Sequence, residues 1–156
     1  YRMDESTRMI KKSLVEISED EVWQKPNPSL NSIANLMVHL CGNISQYVIS
    51  SLGETEDKRN RDDEFSVTGG LTKDELFTKL ESVVDDAKRV IFNVTPNQLV
   101  KMRSVQGFSF SGVGIILHAV EHYSYHTGQI AFWVKQLKNK DLGFYDGIDL
   151  NKKNID

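Results

Sequence analysis

The 156-residue sequence predicts an all-α fold, a four-helix bundle with long inter-helix loops. Three observations predict it. Four segments carry apolar residues at helical spacing. No segment carries a strong strand signal. The last segment, ILHAVEHYSYHTGQIAFW, is apolar around most of its circumference, which marks a central helix.

The first helix is expected over about residues 3–21, with Met9, Ile10, Leu14, Val15 and Ile17 on its apolar face. Pro26 and Pro28 then break the chain. The second helix is expected over about 29–52. Leu36, Met37, Leu40, Ile44 and Tyr47 belong to its apolar stripe, and Ser32, Asn35, His39, Asn43 and Gln46 form a polar stripe beside it. Residues 53–70 are charged and glycine-bounded and read as a long loop, in which RNRDDEF either faces solvent or orders over the bundle end. Thr72 with Glu75 forms a capping box that opens the third helix, about 72–93. Thr95-Pro96 reads as a turn or a short helix start, and 101–110 as an extended excursion or loop. The fourth helix covers about 111–138, and the tail 139–156 has no helical period. No repeat or linker divides the chain, so one domain over 1–156 is expected.

Composition narrows the function classes. Net charge is -3 with no Lys/Arg-rich run, which argues against nucleic-acid binding. No stretch approaches the roughly 18 apolar residues of a membrane span. The opening YRMDESTRMIKK lacks the apolar core of a signal peptide. It has no initiator Met and begins in helical pattern, so the segment reads as trimmed. The single cysteine, Cys41, cannot form an internal disulfide, and a cytoplasmic setting is the expectation. Cys41 reads as a buried, inert thiol.

The chemistry lies in the histidines. The chain has four, and His118, His122 and His126 follow one another at intervals of four. Four residues are about one helical turn, so the rings line one side of a helix. Leu117, Glu121, Ser124, Gly128 and Lys135 form the stripe expected to face water, while His122 and His126 group with the buried side. One ion cannot take all three rings, because His118 and His126 lie about 12 Å apart along the axis. A metal site would use His122 with His126, or His118 with His122, and His39 is the obvious source of a third ligand. The competing reading is a pair of core histidines bonded to backbone or water. His39 lies about 120° from the centre of its helix's apolar stripe and could face solvent. Asn43 reads as a polar helix position or as a partner of the site, and Tyr123, Tyr125, Phe132 and Trp133 as core or pocket wall. No HExxH motif, nucleophile triad or phosphate loop is present, and no general base is identified.

Three stretches, NSIANLMVHLCGN, GETEDKRNRDDEF and LHAVEHYSYHTGQIAFWVK, resemble the DinB/YfiT-like superfamily, more narrowly an uncharacterised branch of it. The resemblance covers the chain from the first helix to about residue 138. It implies a four-helix bundle, often dimeric, with one divalent ion held by His39, His122 and His126. Asn43, His118 and Gln129 are then candidates for the surrounding pocket. Zinc or nickel leads among metals, followed by manganese or iron. The resemblance further implies a metal-dependent enzyme of thiol S-transferase type, using a low-molecular-weight thiol on a small-molecule substrate. A metal-dependent hydrolase and a non-catalytic dimerising bundle are the alternatives.

Overall fold

The computed structural model describes residues 1–154 and is mostly helical. Helix α1 spans Arg2–Val15, and Met3, Ile10 and Leu14 are buried along its inner face. It stops short of the expected residue 21. Ser18 Oγ accepts a hydrogen bond from Glu21 N–H and Glu21 Oε2 accepts one from Ser18 N–H, a capping box that starts a separate short helix, α2 (Glu19–Trp23). The last two residues of the expected irregular tail lie outside the described residues.

Helix α3 runs over Ile33–Ile44 and continues as a π-helical stretch over Ser45–Leu52. Its start is Ser32 rather than Ser29, because Ser32 and Asn35 cap one another reciprocally. The π-helical hydrogen bonds persist into the exit turn, with Gly53 N–H on Val48 O and Thr55 N–H on Ser50 O. Helix α5 (Lys73–Asn93) begins at the expected Thr72–Glu75 box, and α7 (Gly112–Lys138) begins at Ser111. Helix α1 packs on α7, α3 packs on both α5 and α7, and α5 also touches α1. Ile10, Met37, Leu40, Leu80, Ile115, Tyr123 and Ile130 fill the core between them with almost no exposure.

The two long connections are structured. Residues 53–70 contain helix α4 (Arg61–Ser66), so RNRDDEF is not a solvated loop. Residues 94–111 contain helix α6 (Pro96–Val100) and an antiparallel hairpin of β1 (Met102–Val105) and β2 (Phe108–Ser111). The all-α expectation is therefore corrected by a small two-stranded sheet. Gln106 and Gly107 turn the hairpin with φ of 52° and 81°, the paired positive values that a two-residue turn matched to strand twist requires.

Candidate metal centre

The polar stripe of the second helix becomes a buried seam. Ser32, Asn35, His39 and Asn43 are all buried. Periodicity left His39 free to face solvent; instead α4 covers it, with the Phe65 ring 4.8 Å from the His39 ring. Helix α7 supplies the facing groups. Its outer stripe of Leu117, Glu121, Ser124, Gly128 and Lys135 is exposed, and His118, His122 and His126 are half-buried on the inner side.

His39, His122 and His126 come together. One ring nitrogen of each lies within 4.8 Å of the other two. His39 Nε2 and His122 Nε2 are 3.2 Å apart. Two nitrogens bound at 2.0–2.1 Å to one tetrahedral ion lie about 3.3 Å apart, so this pair already has the spacing of shared ligation. The third nitrogen, of His126, lies no more than 4.8 Å from either.

The outer contacts of the rings favour the same use. His39 Nδ1–H donates to Glu64 Oε2 at 2.8 Å, which leaves the Nε2 lone pair pointing at the cluster. An Arg59 nitrogen also lies 3.2 Å from His39 Nδ1, but two donors cannot bond each other; that nitrogen donates to Glu64 Oε2 at 2.9 Å instead. His126 Nδ1–H donates to Gln129 Oε1 at 2.6 Å, freeing its own Nε2. His122 Nδ1 is buried without a partner. Burial holds all four imidazoles below the ordinary histidine range. For His39 the Glu64 contact opposes that fall. His122 is pushed down to about 3, by burial first and then by the neighbouring imidazoles. Neutral rings with open lone pairs are what a divalent ion binds, and the residues present fit one.

Glu64 is the buried partner of the cluster that sequence reasoning missed. Arg59 grips its carboxylate through Nε at 2.7 Å and Nη2 at 2.9 Å, and holds Gln46 Oε1 at 2.8 Å. Asn35, buried in α3, donates to the backbone carbonyls of Glu64 at 3.0 Å and Val67 at 2.8 Å and so anchors α4. Gly42 makes the approach possible: a Cβ there would fall 1.8 Å from Glu64 Oε1. The one available signal was an acidic residue inside RNRDDEF. Which of its four charges beyond Arg59 turns inward depends on the gap at Gly42, far away in sequence.

His118 stays outside the cluster. Its ring stacks on Tyr47 at 4.0 Å, and its Nε2 lies 3.4 Å from Asn43 Nδ2. Tyr47 in turn donates to Gln106 Oε1 of the hairpin at 3.0 Å. Asn43 is thus a buried partner of His118 rather than a surface position, with its Oδ1 unpartnered. Cys41 is buried, and burial raises its thiol pKa to about 12, in keeping with an inert role.

Fold and site together define a mostly helical protein with three clustered imidazoles that could hold a metal ion. The chain belongs to the family described as proteins of unknown function DUF1572, which matches residues 1–146. Among solved structures it is similar to the conserved protein of a locus from Enterococcus faecalis. That likeness has 15% identity and a TM-score of 0.75 and covers 89% of this chain and 94% of the other. It is also similar to a DinB-like protein, YjoA, from Bacillus subtilis, with 18% identity, a TM-score of 0.65 and coverage of 90% and 88%. No curated protein matches it. No helix among the described residues is long and apolar enough to cross a membrane.

Proposed function

We propose that the chain is one domain, a four-helix bundle formed by α1, α3, α5 and α7, that holds a divalent metal ion on His39, His122 and His126 and acts as a metal-dependent thiol S-transferase. The observation that carries the metal reading is the 3.2 Å approach of His39 Nε2, its lone pair left open by the buried Glu64 carboxylate on Nδ1, to His122 Nε2. Zinc or nickel suits an all-imidazole set. When bound, such an ion supplies Lewis-acid chemistry and lowers the pKa of a thiol or water.

The chain's own residues do the positioning. Glu64 fixes the His39 tautomer and orientation, Gln129 does the same for His126, and Phe65 covers the His39 ring. Cys41 is buried and held as a neutral thiol, so the reacting thiol is a separate low-molecular-weight molecule. A homodimer accompanies this reading by family resemblance, and a cytoplasmic location by the single cysteine.

The test is thiol consumption by zinc- or nickel-loaded protein with an aryl halide acceptor. The proposal expects thiol-dependent turnover that His122→Ala abolishes. Ester or amide turnover with water alone would replace it with the hydrolase reading. No turnover in either assay, with unfolding unchanged by metal, would leave a non-catalytic bundle.

A further inference from the structure

A cavity of about 760 Å³ opens beside the cluster, between the 26–36 segment and the C-terminal half of α7. His126 and its partner Gln129 form part of its wall, so the cavity reaches the edge of the imidazole cluster. Its size is that of small-molecule sites. Leu30, Leu36, Tyr125, Phe132 and Trp133 line it. Sequence reasoning placed Tyr125 and Phe132 in the core or in a pocket wall; both are largely exposed, as an open pocket requires, while Tyr123 is core.

Charge identifies what fits. The lining contains no Asp, Glu, Lys or Arg, although 26% of the chain is charged and a wall of this extent drawn at random would hold several. Its polar side chains are neutral amides, among them Asn31, Gln129 and Gln136, the hydroxyls of Ser29 and Tyr125, and the His126 and Trp133 rings. The cavity on the far side of α3 is the opposite case, lined by Arg59, Lys58, Lys79, Glu56, Asp57 and Asp63. An ionised ligand in the His126 cavity would lose hydration without gaining a counter-charge, whereas an aromatic ring would gain stacking and apolar contact.

We infer that this cavity is the binding site for an uncharged aromatic substrate, seated against Tyr125, Phe132 and Trp133 with its polar reacting group towards His126. The inference rests on the proposed metal-centred reaction and names its substrate class. Gln129 uses its carbonyl oxygen on His126, so its amide N–H groups are left to orient a neutral carbonyl or similar acceptor.

The test uses the full chain and three isosteric probes, 2-naphthamide, 2-naphthoate and 2-naphthamidine, titrated by calorimetry and ligand-detected NMR. Two variants fall where folding tolerates change. Phe132 is 71% exposed, and a Cβ on Gly128 meets nothing within 4 Å. The naphthamide should bind at least roughly tenfold more tightly than either ion. Phe132→Ala should weaken it by roughly tenfold, and Gly128→Glu should shift preference to the naphthamidine cation. Equal binding of all three probes, or indifference to both variants, would overturn the inference. So would a wild-type dimer that Gly128→Glu splits without any naphthamide binding, which would assign the cavity to a second copy of the chain. His39→Ala separates the two proposals: it should abolish metal uptake and leave naphthamide affinity intact. Naphthamide binding by a wild type that takes up no metal would refute the metal centre alone.

Discussion

Replacing Gly42 with alanine should destabilise the protein, although alanine is the better helix former. In an ordinary helix interior the change gains about 1 kcal/mol. At Gly42 the added Cβ would lie 1.8 Å from Glu64 Oε1 and 2.9 Å from Arg59 Nε. Ordinary contact begins near 3.5 Å, so the carboxylate must retreat by roughly 1.5 Å. It cannot do so freely, because its side chain is 6% exposed and bonded to Arg59 and His39. Charge-assisted hydrogen bonds contribute about 1.5–3 kcal/mol each. Losing one and weakening another outweighs the helix gain and leaves a net loss of about 1–3 kcal/mol. For a chain of this length that lowers Tm by roughly 3–10 °C. The control is Gly128→Ala in α7, where a Cβ meets nothing, and it should stabilise by about 0.5–1 kcal/mol. Urea and thermal unfolding of both variants without metal decide the matter. A Gly42→Ala protein as stable as wild type, or more so, would refute the close packing of Glu64 on α3.

Glu64→Gln leaves the buried Arg59 unpaired and should cost up to about 3–5 kcal/mol, with metal affinity by calorimetric titration falling about 10–100-fold. Asn35→Ala removes the bonds that anchor α4 and should cost about 2–3 kcal/mol; hydrogen exchange should rise over residues 61–67 and not in α5. Acid should destabilise the protein through the imidazoles. His122 titrates near 3 when folded against 6.5 ordinarily, so below pH 6.5 the unfolded chain takes up a proton that the folded chain refuses. Stability should be full above about pH 7 and fall progressively as pH drops from 6.5 towards 3. The urea midpoint should therefore drop between pH 7.5 and 5, and His122→Asn should flatten that slope.

Much of the scaffold was legible because local signals and tertiary packing agree. The Thr72–Glu75 box starts α5 where the sequence placed it, and the water-facing stripe of α7 is exposed as its period implies. The break after α1 was also written locally, in Ser18 and Glu21, but an apolar stripe running through to Ile17 hid it. The polar stripe from Ser32 to Gln46 was visible as a stripe. Its burial was not, because the covering element, α4, comes from a charged segment with no apolar period. The same gap explains His39 and Asn43, whose helical angles suggest partial exposure while their surroundings bury them. The histidine cluster was legible through spacing and resemblance together, since spacing alone left two pairs open. The buried carboxylate behind His39 was not, because it depends on a missing Cβ at Gly42.

The most direct test of the central claim is the metal content of untagged protein by elemental mass spectrometry, for wild type and for alanine variants of the four histidines. The account predicts about one divalent ion per chain, lost in His39→Ala, His122→Ala and His126→Ala and kept in His118→Ala. No ion in the wild type, even after zinc or nickel is supplied, would contradict it, as would loss of the ion on changing His118 with retention on changing His39.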